Sequence, residues 1–245
     1  MIKYLKKQYY KIKRNRNFKS EFNKKAVLLA DNRFLCSWKD RYPCFNDNSG
    51  YSFTSHYGYH TSWAARILSN LRPEKHIDIS SCLRFVSLVS AFIPVDFYDY
   101  RPTPLSLSGL TVNHADITAL PFPDNSISSL SCMHVVEHIG LGRYGDPYDP
   151  EGDIKAMNEL SRVLAPGGSL LFVVPAGKEA RLQFNAHRIY TPELVEKSFT
   201  ALKLKDFSYI SDPVNWPERF YQSASSKDIG NDVYGCGCFH FIKPQ

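Results

Sequence analysis

The sequence predicts an α/β domain with a mainly parallel, seven-stranded sheet that is covered by helices on both faces. From residue 76 onward, short apolar segments typical of buried strands alternate with amphipathic segments typical of helices. An aspartate stands at the end of each of the first three strands, and a Pro-Gly-Gly turn precedes the fifth. Because such sheets bind ligands at the carboxyl ends of their strands, the residues there form the candidate site.

A basic arm, residues 1–25, precedes the domain and contains ten Lys and Arg with a single acid, Glu21. The arm therefore carries +9 within a net charge of +6, and the remaining residues sum to −3. Since the fold itself carries no positive excess, we expect it to bind no nucleic acid. Apolar residues at helical spacing leave three roles open for the arm: a helix on an anionic membrane surface, a solvated segment, or a nucleic-acid contact.

The remaining chain divides into an irregular cap and the domain proper. Residues 26–59, rich in aromatic residues, Asn, Ser and Gly, are expected to form the cap, and the domain is expected over 60–245. Its predicted strands are 76–79, 95–100, 110–115, 127–136 and 169–174, with a closing pair at 202–210 and 237–242. Its predicted helices are 60–71, 85–92, 154–164 and 191–199.

The cysteines and apolar runs indicate a cytoplasmic protein, which the arm could hold at the inner face of the membrane. The six cysteines are scattered, which favours reduced thiols. No apolar run approaches the roughly 18–20 residues of a membrane span, and no secretory signal is expected. Cys236 and Cys238 lack two further ligands at a recognisable spacing, and the acidic stretch 146–153 is interpreted as a solvated loop with a helix cap. No metal site is therefore expected.

Three aspartates at successive strand ends are the strongest sign of a nucleoside site. Asp78 is predicted to end the first strand, Asp99 ends the second, and Asp116 follows the third. An acid after the second strand can accept hydrogen bonds from ribose hydroxyls. Asp116 with Ile117 can bind an adenine amino group and pack against the ring. A helix cap or surface charge explains any one of these acids, but explains three in succession less easily.

The segments around the third, fourth and fifth strands resemble class I S-adenosylmethionine-dependent methyltransferases. The resemblance rests on Asp-Ile-Thr-Ala-Leu-Pro-Phe-Pro-Asp-Asn-Ser at 116–126 and Arg-Val-Leu-Ala-Pro-Gly-Gly at 162–168, and it covers about residues 60–245. It implies a Rossmann-like fold and S-adenosyl-L-methionine as cofactor. The implied cofactor contacts are Asp78, Ser80, Arg84, Asp99, Asp116, Ile117 and His134.

A narrower resemblance links segments 76–81, 99–102 and 137–147 to an uncharacterised methyltransferase-like family. Its bacterial members tend to be associated with surface polysaccharide synthesis. The resemblance implies O-methylation of a sugar hydroxyl on a glycan or lipid-linked saccharide, which a basic arm could approach at a membrane.

The turn after the first strand departs from the family pattern. The three glycines of that pattern align with Ser80, Cys82 and Arg84. Glycine serves there because a Cβ obstructs close approach to the ligand or because φ is positive. Arg84 can bind the methionine carboxylate of the cofactor or a phosphate of another nucleotide. Two alternatives therefore remain: a non-catalytic scaffold, and a nucleotide-sugar enzyme of another class in which Arg84 and Arg101 hold phosphate.

Three residues are candidates for removing the acceptor proton: His138, Glu137 and His187, in that order. Glu137 and His138 follow the fourth strand, and His187 lies in a loop after the fifth. If the fourth strand continues to residue 136, alternation places His134 and His138 on the same side.

Overall fold

The computed structural model describes residues 2–29, 37–41, 55–184, 186–212 and 219–245. The chain divides into two compact units, residues 1–52 and residues 53–245. Most of the predicted cap, 26–59, lies outside the described residues.

The first unit contains one long helix, α1 (Ile2–Leu29), and a short 3-10 turn at Trp38–Asp40. The predicted basic arm is therefore helical, and the helix runs past residue 25. Phe18 and Phe22 contact the Trp38 ring at centroid distances of 6.0 and 5.1 Å, and the Arg41 guanidinium lies 4.6 Å from its centre. None of the described helices of the chain is both long enough and apolar enough to cross a membrane.

The second unit alternates strands and helices as the sequence predicts. Its helices are α2 (Ser55–Leu71), α3 (Leu83–Val89), α4 (Gly152–Val163), α5 (Pro192–Ser198) and α6 (Ser226–Ile229). Its first five strands are β1 (His76–Ile79), β2 (Val95–Asp99), β3 (Leu110–His114), β4 (Ile127–Met133) and β5 (Leu164–Ala176). The remaining strands are β6 (Arg181–Gln183), β7 (His187–Ile189), β8 (Lys203–Ile210), β9 (Phe220–Tyr221) and β10 (Gly235–Ile242).

The main sheet has the order β3-β2-β1-β4-β5-β10-β8-β9. The strands from β3 to β5 pair in parallel, whereas β10, β8 and β9 pair antiparallel. All seven predicted strands are present, and the two-residue strand β9 is the eighth. A separate hairpin of β6 and β7 falls where the sequence predicts a loop.

Helices cover both faces of the sheet, which confirms the predicted architecture. On one face, Met157 and Leu160 of α4 and Val195 of α5 pack into one apolar core. On the other face, Trp63 of α2 and Phe85 of α3 pack into a second core. Each face of the sheet is therefore shielded from water, as a parallel sheet requires.

Two boundaries differ from the prediction in ways that shape the site. β4 ends at Met133 and not at residue 136, because His134 adopts a left-handed backbone with φ of +58° and a 3-10 turn follows at Val136–His138. α4 begins at Gly152, so Asp153 lies inside its first turn and not at the cap position. Its buried carboxylate accepts a hydrogen bond from Tyr190 Oη at 2.9 Å.

Candidate functional site

A cavity of about 370 Å³ opens at the carboxyl ends of β1, β2, β3 and β4. This is where a parallel sheet presents its loops to a ligand. The volume falls within the range of small-molecule sites. The segments that line it are Ser80, Asp99–Arg101, Ala115–Thr118, His134–Val135, His138–Gly140, and the loop residues Tyr144, Asp146, Pro147, Asp149 and Gly152.

Asp99 and Asp116 both line the cavity, and each uses one oxygen to fix its own turn. Asp99 Oδ1 accepts from the Arg101 backbone N–H at 2.7 Å. Asp116 Oδ1 accepts from the Thr118 backbone N–H at 2.8 Å and from its hydroxyl at 2.7 Å. Within the described part of the chain, the second oxygen of each aspartate takes no hydrogen bond. Two oriented carboxylate oxygens therefore remain for hydroxyl or amino donors of a ligand.

The turn after β1 has a backbone conformation that favours glycine, although a serine occupies it. Ser80 has φ of +56°, and its N–H and hydroxyl both donate to the Tyr98 carbonyl, at 2.8 and 3.2 Å. Cys82 has an ordinary φ of −73° at the start of α3, so that position does not need glycine. Arg84 is exposed on α3 and is not among the residues that line the cavity.

Asp78 lies in the interior of the sheet and not on the cavity wall. It accepts hydrogen bonds from the Ser131 hydroxyl and from the Ser81 N–H, which is 3.0 Å away. His76 bonds Ser129 and Ser131 through its two ring nitrogens, both at 2.8 Å. Burial raises the pKa of Asp78 to about 6 and lowers that of His76 to about 3. This polar network links β1 to β4 and positions the turn at Ser80.

His134, Glu137 and His138 meet after β4, although the strand does not carry them. Glu137 is 1% exposed, and its Oε1 lies 2.9 Å from His134 Nδ1 and 3.7 Å from His138 Nε2. Its Oε2 is buried and has no hydrogen-bond partner in the described residues. Burial by itself lowers the pKa of His134. The Cys236 sulfur and the Glu137 carboxylate raise it by more, so the pKa of His134 lies above its ordinary value.

His138 lines the cavity. Its Nδ1 lies 2.8 Å from the Ala186 carbonyl oxygen and 3.2 Å from Arg143 Nη1, and the contact with the carbonyl favours the tautomer that is protonated at Nδ1. Nε2 of the neutral ring then carries the lone pair that a general base needs. Arg143 donates to the same carbonyl at 2.9 Å, which fixes the 186 loop against the ring.

His187 is near this group but does not line the cavity. Its ring lies 6.1 Å from that of His138 and 5.3 Å from that of Tyr234, and burial lowers its pKa. Of the ten predicted site residues, six line the cavity, namely Ser80, Asp99, Asp116, Ile117, His134 and His138. Asp78, Arg84, Glu137 and His187 do not.

The acidic stretch 146–153 is used to build the wall of the cavity. Asp146 accepts hydrogen bonds from the backbone N–H groups of Gly140 and Tyr144, at 2.8 and 3.1 Å, and these bonds hold its pKa low. Asp149 pairs with Lys155 at 2.6 Å. These carboxylates are committed to loop and helix contacts, in agreement with the interpretation of the stretch as structural.

Residues from distant segments complete the site, and the sequence suggests one of them, Arg101, as a phosphate contact of the nucleotide-sugar alternative. Arg101 lies 4.9 Å from the centre of the Tyr144 ring, and both line the cavity. His56, Tyr57 and Cys236 surround His134 on the side of α2 and β10. A cation beside an aromatic residue is a weak local signal for Arg101. No local pattern indicates that His56 and Cys236 meet.

The strand order, the covered parallel sheet and the cavity beside Asp99 and Asp116 define the fold of the class I S-adenosylmethionine-dependent methyltransferases. Solved structures support this assignment. The 1,6-didemethyltoxoflavin-N1-methyltransferase of Burkholderia thailandensis, solved with that compound and S-adenosylhomocysteine, superposes with a TM-score of 0.55 at 11% identity over 97% of this chain and 90% of that one. The N-methyltransferase NodS of Bradyrhizobium japonicum, solved with S-adenosylhomocysteine, gives 0.51 at 16% identity over 77% and 87%.

Sequence comparison points in the same direction. EEF1A lysine methyltransferase 4 of Mus musculus is 23% identical over 181 residues, which are 67% of this chain and 69% of the mouse protein. A family model described as "Caenorhabditis protein of unknown function, DUF268" matches residues 124–211, from the turn before β4 to the end of β8.

Proposed function

We propose that this chain is an S-adenosylmethionine-dependent methyltransferase that binds its cofactor in the cavity at the ends of β1 to β4. The observation that carries the proposal is the pair Asp99 and Asp116, each with one oxygen uncommitted at the same cavity. Asp99 is placed to accept from ribose hydroxyls, and Asp116 to accept from the adenine amino group beside Ile117. Ser80 supports a close approach of backbone to cofactor, because its left-handed turn follows the course of the missing glycine.

When bound, the cofactor supplies an electrophilic sulfonium methyl group. The protein must hold an acceptor in line with that methyl and remove the acceptor proton. His138 Nε2 is the proposed base, since the Ala186 carbonyl favours a proton on the opposite nitrogen. Glu137, 3.7 Å from Nε2, stabilises the imidazolium that results. His187 packs beside this pair and supports its orientation.

Binding of S-adenosylhomocysteine to the full chain, measured by calorimetry, tests the proposal. We expect one site, and we expect Asp99→Asn to weaken binding at least about tenfold, the effect of losing one charge-assisted hydrogen bond. Asp96→Asn is the matched control, because Asp96 lies on the same strand but pairs with exposed Lys75 at 2.9 Å. A folded wild-type chain that does not bind the ligand at millimolar concentration would contradict the proposal.

For the acceptor, we propose a sugar hydroxyl of a surface polysaccharide or of its lipid-linked precursor. A neutral imidazole base suits a hydroxyl, whose proton must leave as the oxygen attacks. The similarity of segments 137–147 to a polysaccharide-associated family and the positive α1 helix support this class of acceptor.

An amine acceptor is the second candidate, because the solved relatives include N-methyltransferases and the mouse relative is a lysine methyltransferase. Transfer of labelled methyl to a panel of saccharides and of lysine-containing peptides separates the two. Label in the saccharides alone supports the first candidate, and label in the peptides alone overturns it.

A further inference from the structure

Three metal-binding side chains converge beside the cavity, on the side of α2 and β10. His56, His134 and Cys236 each offer one donor atom, and these three atoms lie within 4.8 Å of one another. His134 Nε2 is 3.4 Å from Cys236 Sγ. His56 Nε2 is buried and has no hydrogen-bond partner among the described residues. An unpartnered buried nitrogen is costly, and a ligand that it binds would remove that cost.

The three residues come from separate elements that the fold holds in place. His56 lies in the first turn of α2, and His134 occupies the left-handed position that ends β4. Cys236 is fully buried on β10, where its backbone pairs with Pro175 and Ile210 on the neighbouring strands. The left-handed φ of His134 ends the alternation of β4 and directs its ring toward Cys236.

The donor set selects the kind of ion. Two imidazoles and one thiolate are ligands that Zn²⁺ prefers, with bonds of about 2.0–2.1 Å to nitrogen and about 2.3 Å to sulfur. In a tetrahedral site these bonds place nitrogen and sulfur roughly 3.6 Å apart. The 3.4 Å between His134 and Cys236 is close to that value. The two donor atoms that lie farthest apart are separated by up to 4.8 Å, so the His56 ring must move inward by roughly 1 Å when the ion binds.

A neighbouring carboxylate already orients the His134 ring as a metal ligand. Glu137 Oε1 accepts from His134 Nδ1 at 2.9 Å, which leaves Nε2 for the ion. Burial lowers the pKa of His56, and the Ser211 backbone near its ring opposes that shift. His56 Nε2 has no hydrogen-bond partner among the described residues, so it is available to an ion. A carboxylate or backbone carbonyl behind the ligating histidine is the usual second support of a zinc site.

We propose that His56, His134 and Cys236 bind one Zn²⁺ ion. On binding, the Cys236 thiol releases its proton to solvent and the thiolate forms the zinc–sulfur bond. Three protein ligands leave a fourth position for water or a ligand oxygen. Since His134 also lines the cavity, the site adjoins the proposed cofactor pocket. The inference is independent of the proposed methyl transfer, because zinc affinity is measured without cofactor.

Titration of the full, metal-depleted chain with Zn²⁺ against a chromophoric chelator tests the site. We expect one zinc per chain, and a loss of affinity of at least about 100-fold in Cys236→Ser and in His56→Ala. Glu137→Gln is expected to weaken binding by about 10–100-fold, as loss of a supporting carboxylate does. Cobalt(II) in place of zinc should give a thiolate-to-cobalt charge-transfer band that Cys236→Ser abolishes.

Cys82→Ser is the control, because Cys82 is a partly buried thiol at the start of α3 and is not one of the three converging residues. It should keep wild-type zinc affinity. Circular dichroism of each metal-free variant checks folding, and His56→Ala carries the test if the fully buried Cys236→Ser misfolds. Equal zinc affinity in the wild type and His56→Ala, or a cobalt complex without the sulfur band, would overturn the assignment.

Discussion

Ser80 and His134 are non-glycine residues at the cavity whose backbone is left-handed, with φ of +56° and +58°. Such a conformation costs an L residue roughly 1–2 kcal/mol, and it persists where the surroundings fix it. Ser80 is fixed by two hydrogen bonds to the Tyr98 carbonyl, and His134 by Glu137 and Cys236. The strained residues end β1 and β4, so they are part of how the site is built.

The sequence could locate Ser80 but could not predict its conformation. Its position was indicated by the glycine of the family pattern, and the structure shows that a serine adopts the same φ. His134 gave no such signal, because a histidine after an apolar run looks like a continuation of the strand. The strand was therefore predicted to continue to residue 136, whereas it ends at Met133; His134 and His138 nevertheless line the same cavity. Tertiary contacts with Glu137 and Cys236 decide that position.

Asp78→Asn tests the buried network between β1 and β4. The pKa of Asp78 is about 6 when folded against 3.8 unfolded, so the folded state binds more protons between these values. The contribution of Asp78 to the free energy of unfolding is fully present below pH 3.8. It is lost as the pH rises through about 6, and the loss is on the order of 2–3 kcal/mol. Asparagine cannot ionise and can keep both hydrogen bonds, so that pH dependence should disappear.

Urea unfolding of the wild type and Asp78→Asn between pH 4 and 7 measures this difference. Asp96→Asn is the control, since Asp96 lies on β2 in an exposed ion pair with Lys75. It should keep the wild-type dependence on pH. Parallel curves for wild type and Asp78→Asn would show that Asp78 is not the titrating group.

At the scale of elements, α4 fixes the loop that follows β3. Arg162 donates to the Leu120 and Phe122 carbonyls at 3.0 and 2.8 Å, and Glu159 accepts from the Leu120 N–H at 2.7 Å. The Leu-Pro-Phe-Pro-Asp motif is thus held by α4, the helix that directly precedes β5, in which the Pro-Gly-Gly motif lies. The two sequence motifs that suggested the fold are in contact, and this explains why they occur together.

Arg162→Ala should destabilise the second unit by about 2 kcal/mol, because it leaves two loop carbonyls without their charged donor. It should also weaken binding of S-adenosylhomocysteine, since the same loop begins at Asp116 and Ile117. Urea unfolding and calorimetry measure the two effects. Arg66→Ala, which removes a single exposed hydrogen bond to Ser62, is the control and should change neither. Unchanged stability in Arg162→Ala would mean that solvent replaces its contacts.

The helix α1 leads to a separate prediction about membranes. Tyr9, Tyr10 and Ile12 are 61%, 65% and 53% exposed, and exposed Lys13, Arg14 and Arg16 follow them along the helix. Such a surface suits the headgroup region of an anionic bilayer. Deletion of residues 1–25 should therefore abolish binding to vesicles that contain phosphatidylserine, and it should leave unfolding of the second unit unchanged. Sedimentation with vesicles measures the binding.

Replacement of Lys13, Arg14 and Arg16 by Glu is the matched variant for the deletion. It keeps the length of the helix and lowers the charge of residues 1–25 from +9 to +3, so it should weaken vesicle binding as well. Vesicles of phosphatidylcholine alone should bind neither protein. Equal sedimentation of the truncated and complete chains would assign membrane binding, if any, to the second unit.

For the whole molecule, a bound cofactor product should stabilise the second unit by mass action. At 100 times its Kd, S-adenosylhomocysteine adds about 2.7 kcal/mol, which raises Tm by about 5–10 °C in a domain of this size. A thermal-shift series with S-adenosylhomocysteine and with nucleotide sugars measures it. Stabilisation by nucleotide sugars alone would favour an enzyme of another class, with Arg101 holding a phosphate.

The parallel half of the sheet could be predicted more fully than the antiparallel half. β1 was predicted with its observed bounds, although only Ile77 and Ile79 of its four residues are apolar. The β6–β7 hairpin was not predicted, because its strands are three residues each and partly exposed. The position of β10 between β5 and β8 depends on contacts distant in sequence, and the sequence predicted only that β8 and β10 form a closing pair.

That position of β10 has a consequence for how the chain is made. β8 leaves the ribosome before β10, yet the sheet bonds it to β5 only through β10. Until β10 inserts, β5 and β8 each present an open edge of unpaired backbone, which is a template for pairing with other chains. Insertion joins Gly235 to Ala176 and Ile242 to Ser169, so it closes long loops and is slow. A nascent chain at this stage is the species that a chaperone would need to protect.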